Sequence, residues 1–230
     1  MGEHTKSGVR ATLQQLLQNE ARCKAACTCQ RLTIRELFFE PNPHTVETWQ
    51  SEHRFFEKGI DRRVVFICES PSDRRDRAEG EHFEVAGQKG WICWNLTGQD
   101  RRFHRARVHH GFQHCLITNA VKCGLPKPST PSNLTKEESE NCAVHLVAEL
   151  TAIQPVVVAC MGGRAFDIAV KYSLPKLAFT PLPVLLNHYS HRGSSDVHDE
   201  RWAEQFGIIR LALGSRGISP DEPLWMPFEP

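Results

Sequence analysis

No apolar run in this chain approaches the roughly 18 to 20 residues that a membrane-spanning helix requires. The opening residues, MGEHTKSGVR, hold no apolar stretch of the secretory kind. The expected compartment is therefore the cytoplasm. A dominant charge of either sign is also missing. The formal net charge of the 230 residues is +1, so composition neither announces a polyanionic partner nor excludes one. No internal repeat is present, which argues against an array of stacked units. The cysteines number 9, an odd count. In a reducing compartment such thiols act as small buried hydrophobes, metal ligands or nucleophiles rather than as disulfides.

What is present is ordinary globular composition, 40% hydrophobic and 24% charged, at a length that one core can serve. A single domain spanning 1–230 is expected, as a monomer. Charge is nevertheless uneven. Arg62, Arg63, Arg74, Arg75, Arg77, Arg101, Arg102, Arg105 and Arg107 crowd the first half, either gathered into a phosphate-facing patch or solvating separate loops.

Val9, Leu13, Leu16 and Leu17 recur at helical spacing, predicting an amphipathic helix over about 8–24 that leads into a cysteine cluster reaching 35. Four short apolar runs follow: Val64 to Cys68, Cys115 to Thr118, Val156 to Cys160 and Val184 to Leu186. Their near-continuous apolar, β-branched character suits strands buried on both faces of a parallel sheet. Thr135 and Glu138 are spaced as a capping box before a helix with Leu146, Val147, Leu150 and Ile153 on one face, and Pro155 stops it. Gly162 and Gly163 open a further helix, and a last one covers about Val197 to Leu213. The alternation predicts a three-layer α/β/α domain around a central four-stranded, mainly parallel sheet, with an irregular tail over 215–230.

Chemistry-bearing residues stand immediately after each predicted strand. Glu69-Ser70-Pro71-Ser72 follows the first, Asn119 the second, Met161-Gly162-Gly163 the third, and Asn187-His188-Tyr189-Ser190 the fourth. Ligands of open parallel sheets bind beyond the carboxyl ends of the strands, so these segments are expected to share one site. A carboxylate can orient water or offset positive charge. A carboxamide can read a base edge through its paired donor and acceptor, and an imidazole can stabilise a departing anion.

Ile117-Thr118-Asn119-Ala120-Val121-Lys122-Cys123, then Cys142, then the run from Ile153-Gln154-Pro155 to Met161-Gly162-Gly163-Arg164-Ala165 is similar to the ITNVVKC, C and IxPxxIxxLGxxA pattern of iron–sulfur uracil-DNA glycosylases, called family four. Glu69-Ser70-Pro71-Ser72 resembles that family's GEAPG motif, with Asp76, Gly80 and Phe83 following at nearly its spacing, and His188-Tyr189-Ser190 stands where the family has HPS. The resemblance implies a DNA-binding enzyme that flips uracil out of DNA and cuts its N-glycosidic bond. On it, Asn119 reads the uracil edge, Phe83 stacks on the base, Glu69 handles water and His188 stabilises the uracil anion. Ser70 and Ser72 line the pocket, and Gly162, Gly163, Ser190, His191 and Arg192 meet the DNA. Phe83 as core packing, Glu69 as a structural hydrogen-bonder, and His191 or Arg192 in place of His188 stay open as alternatives. So does a protein that binds uracil-containing or abasic DNA without turnover.

The same resemblance implies a 4Fe-4S cluster. Cys123 and Cys142 match two of the family's ligands. The N-terminal pair is irregular, because Cys23, Cys27 and Cys29 are spaced as Cx3C and CxC rather than CxxC, and one of these three is surplus. Zinc is the alternative, since four thiolates suit it equally. Cys68, Cys93, Cys115 and Cys160 are expected as buried hydrophobes. Ser72 replaces the last glycine of GEAPG, at the place where the most uracil-specific enzymes carry a bulky tyrosine. The expectation is a looser pocket that also admits hypoxanthine or xanthine.

Overall fold

The structure is a computed structural model that describes residues 60–69, 103, 106–121, 136–188 and 195–226, without the side chains of 138 and 195–199. The predicted helix at 8–24 and the cysteines at 23, 27, 29, 93 and 123 lie outside the described residues.

Four strands form one sheet: β1 (Val64–Cys68), β2 (Ile117–Asn119), β3 (Val157–Met161) and β4 (Leu182–Leu186), in the order β2-β1-β3-β4. Every pairing is parallel. All four carboxyl ends therefore lie along one edge. The predicted strands are present, β1 with the bounds expected and the other three shifted. β2 begins at Ile117 rather than Cys115 because Cys115 belongs to a turn, its N–H donating to the Phe112 carbonyl at 3.2 Å. β4 begins earlier, at Leu182, because Pro183 sits inside a strand with β3 as its partner, and an edge position tolerates the missing N–H.

Side chains alternate across the sheet. Val65, Ile67, Val158 and Cys160 face one layer, where Cys142, Leu146, Leu150 and Ile153 of helix α1 (Lys136–Ile153) and Ala165 and Ile168 of helix α2 (Gly163–Ile168) pack on them. Val64, Phe66, Cys68, Ile117, Val157, Ala159, Met161, Val184 and Leu186 face the other, against Trp202, Phe206, Ile209 and Leu213 of helix α3 (Ser195–Ser215). The three-layer α/β/α fold is thus formed as expected. Helix α1 ends where Gln154 takes a positive φ of 50°, its N–H still bonded to the Leu150 carbonyl at 2.7 Å. Pro155 follows and cannot continue the helix. Helix α2 widens into a π-turn over Ala169–Ser173 and tightens to a 3-10 turn at Leu174–Lys176, a feature the sequence reading lacks.

Two arginines of the basic first half neither join a phosphate-facing patch nor solvate a loop, and are buried instead. Arg63 is fully buried just before β1, at the edge of the sheet opposite the strand ends. Its Nε donates to Asp61 Oδ2 at 2.9 Å, Nη2 to the Gly111 carbonyl at 2.5 Å and Nη1 to the Pro220 carbonyl, while its guanidinium lies 4.9 Å above the Phe112 ring. Arg107, equally buried, donates to the carbonyls of Gln113 at 2.9 Å and Cys115 at 3.1 Å. The physical reason is the chain's need to close these turns. Carbonyls that enter a sheet without strand partners must be satisfied from somewhere. The tail expected to be irregular joins this brace. Arg62 N–H donates to the Leu224 carbonyl at 2.7 Å, Met226 N–H to the Ile60 carbonyl at 2.9 Å, and Leu224 N–H to Asp61 Oδ1 at 3.0 Å.

Replacing Arg63 with Met removes the guanidinium from the buried Asp61 carboxylate and leaves Oδ2 without that donor. Loss of about 3–5 kcal/mol in urea unfolding is expected, with the salt dependence of any DNA binding unchanged because this guanidinium meets no solvent.

Candidate active site

β1 and β2 finish level with one another, Cys68 being the register partner of Asn119. The two chains stay tied past that point: Ala120 N–H donates to the Cys68 carbonyl at 2.6 Å and Val121 N–H to the Glu69 carbonyl at 2.8 Å. Glu69 is therefore placed by backbone bonds at the first position beyond β1, beside the buried Asn119. On the other side of β1, Ile67 is level with Cys160, which brings the turn after Met161 next to Glu69. Arg164, in the first turn of α2, reaches back across this turn and sets Nη1 3.3 Å from Glu69 Oε1. Both side chains are partly exposed, so the pair contributes at most about 1 kcal/mol to stability. Its effect is to orient the carboxylate.

The turn after β3 is built on Gly162, whose φ of 95° and ψ of 156° are open to glycine and strained for other residues. Its N–H donates to the Leu186 carbonyl at 2.8 Å, extending the β3–β4 ladder into the loops. The turn also lies in ordinary contact with His188. A Cβ at Gly162 would lie 3.4 Å from the Cβ and 3.5 Å from the Cδ2 of His188, so the imidazole rests directly against the glycine. Gln205 of α3 fixes the same loop by accepting the Asn187 N–H at 2.7 Å. Burial lowers the His188 pKa below its ordinary 6.5, which leaves the imidazole neutral at pH 7. Gly163, by contrast, is exposed, with open space where a Cβ would stand.

Asn119, Glu69, Gly162 with Gly163, and His188 thus succeed one another along one edge in the order of the strands that carry them. Ser70, Ser72, Phe83, Ser190, His191 and Arg192 lie outside the described residues. Cys142 stands apart, buried on α1. Among the described residues no three His, Cys, Asp or Glu side chains group as a metal would need, and Cys142 is the one expected ligand described. Cys68, Cys115 and Cys160 are buried as expected. Burial pushes the Cys160 thiol up to about 12, which suits packing and not nucleophilic attack. Arg164 and Gln205 were not singled out from sequence. Arg164 adjoins the glycine pair, but nothing local couples it to a carboxylate 95 residues away.

A strand-end row of this kind fits many α/β enzymes, and the family is decided by comparison. The family model described as the uracil DNA glycosylase superfamily matches residues 55–210, more than half of the chain and all four strands. The chain belongs to the uracil DNA glycosylase superfamily. Two curated relatives are similar over shorter spans. The type-4 uracil-DNA glycosylase of Thermotoga maritima is 30% identical over 129 residues, 55% of this chain and 60% of the relative. That of Archaeoglobus fulgidus is 29% identical over 149 residues, 64% of this chain and 63% of the relative. The chain thus spans about three-fifths of the length of each. The superfamily match encloses Glu69, Asn119, Cys142, Gly162, Gly163 and His188 alike.

Gly162→Ala places a side chain at a φ of 95° that only glycine adopts without strain, and is expected to cost about 1–3 kcal/mol in urea unfolding. His188 makes a pH prediction. Its folded pKa is depressed, so as pH falls through 6.5 the unfolded chain takes up a proton that the folded protein resists. Stability from the neutral imidazole is whole above that pH and is lost progressively below it. His188→Gln is expected to flatten the fall in melting temperature between pH 7 and pH 5.

Proposed function

We propose that this protein is a DNA-repair glycosylase that flips uracil out of DNA and hydrolyses its N-glycosidic bond, leaving an abasic site without cutting the strand. The observation that carries this reading is the row of a buried carboxamide, a partly exposed carboxylate and a neutral imidazole along the carboxyl edge of one sheet, in a chain of this superfamily. The names of the type-4 relatives support it.

The chemistry follows from the groups. As the C1′–N1 bond lengthens, positive charge grows on the sugar and negative charge on the base. Asn119 reads the uracil edge through a pair of hydrogen bonds that hold the base in place. Glu69 orients a water for attack at C1′, takes up its proton and offsets the sugar's charge. A neutral imidazole at His188 donates a hydrogen bond to the departing anion, and neutrality lets it do so without a counter-charge in the resting site. Phe83 stacks on the base, a contact worth about 1–3 kcal/mol. Ser70 and Ser72 border the pocket, whose small side chains extend the range to hypoxanthine or xanthine. Gly163, with Gly162, Ser190, His191 and Arg192, meets the DNA backbone.

A 4Fe-4S cluster fits the donors at hand. Cys142 is a buried thiol on α1 and shares a core cluster with Val121. Cys123 follows Val121 by two residues, a reach of about 7 Å at most. Cys123, Cys142 and two of Cys23, Cys27 and Cys29 would hold the group, which supplies iron–thiolate bonds that cross-link these segments. Zinc in the same thiolates is told apart by metal analysis of the purified protein, iron with inorganic sulfide being the expected result.

The test is release of base from labelled single- and double-stranded oligonucleotides carrying uracil, hypoxanthine or xanthine, read by alkaline cleavage at the abasic sites. Turnover of uracil is expected, with slower release of at least one of the purines. Glu69→Gln is expected to slow single-turnover release about 10²–10⁴-fold. A stoichiometric complex without product would instead assign a binding protein, and strict uracil specificity would remove the looser pocket.

A further inference from the structure

Glu149 lies on α1 between the helix and the sheet, fully buried. Cys142, Leu146, Leu150 and Ile153 share its side of the helix and are apolar. A carboxyl group in such a layer costs several kcal/mol unless a partner holds it. Thr118, itself fully buried, is such a partner, its hydroxyl donating to Glu149 Oε2 at 2.8 Å.

Thr118 is the middle residue of β2, and Asn119 is the next. Valine would suit a buried strand position as well as threonine does, so packing alone does not account for the hydroxyl. β2 is three residues long and paired with β1 on one side. Among the described residues its backbone ladder therefore restrains it from one direction. The Thr118–Glu149 bond adds a restraint from the helix layer, perpendicular to the ladder. Because side chains alternate, Asn119 projects away from α1 while the residue before it is tied to α1.

We propose that Glu149 is a positioning residue: acting through the Thr118 hydroxyl, it fixes the end of β2 and hence the aim of the Asn119 carboxamide at the flipped base. This rests on Asn119 as the base reader. What Thr118 needs is an acceptor, so the hydrogen bond and not the negative charge carries the effect.

Single-turnover uracil release over a range of excess enzyme separates the maximal rate from the half-saturating concentration, and the maximal rate does not depend on the fraction of enzyme that is folded. Thr118→Val and Glu149→Met are each expected to lower the maximal rate about tenfold, the size of one lost hydrogen bond, with half-saturation within twofold of wild type. Thr118→Ser and Glu149→Gln keep donor and acceptor and are expected to stay within twofold in both. The double variant Thr118→Val/Glu149→Met is expected to be no slower than either single one. Should Glu149→Met fail to fold, Thr118→Val against Thr118→Ser decides alone. An unchanged maximal rate in Thr118→Val, or a loss that Thr118→Ser does not restore, overturns the proposal and leaves the glycosylase reading intact. A wild-type protein that releases no uracil overturns both.

Discussion

β1 is hydrogen-bonded to β2 on one side and to β3 on the other, and its register with each sets where the following loops begin. With Cys68 level with Asn119 and Ile67 level with Cys160, a carboxylate, a carboxamide and a glycine turn emerge side by side. The register is held by burial on both faces, since a slip of one residue would exchange the faces of every side chain in the moving strand. In β2 such a slip would turn Thr118 away from Glu149 and bring Asn119 toward α1. The apolar layers above and below the sheet therefore specify the chemistry at its edge.

Polar side chains serve different tasks at the two ends of that sheet. At the amino end Arg63 and Arg107 close turns by donating to carbonyls. At the carboxyl end the polar groups bear on loops that meet solvent: Gln205 on Asn187, Arg164 on Glu69. One end spends its polarity on holding the chain, while the other presents it outward.

The strands were legible in the sequence because each is a short β-branched run bounded by turn residues, and the helix from Lys136 because its apolar stripe and Pro155 agree. The strand-end residues were legible for the same reason: once the strands are placed, Glu69, Asn119, Gly162 and His188 have nowhere else to stand. The buried arginines were not. Arg63 and Arg107 read as surface cations because a sequence shows charge but not the carbonyls that surround it. Thr118 with Glu149, and Arg164 with Glu69, escaped notice because each joins residues 31 and 95 apart, distances at which no local pattern survives. The widened turn at Ala169–Ser173 left no signal before Pro175.

The brace around Asp61 and Arg63 also orders events during synthesis. Arg63 stands at the threshold of the central strand, yet its carbonyl partner Pro220 lies 157 residues later and Leu224 bonds Asp61 from still further on. The ribosome releases β1 early, but the carboxylate and guanidinium at its entrance remain incompletely matched until Pro220 and Leu224 have emerged. The sheet can assemble outward from its centre while translation proceeds, and the segment carrying Pro220 and Leu224 then seals it, so that a chain ending before Pro220 leaves its oldest strand open at the base.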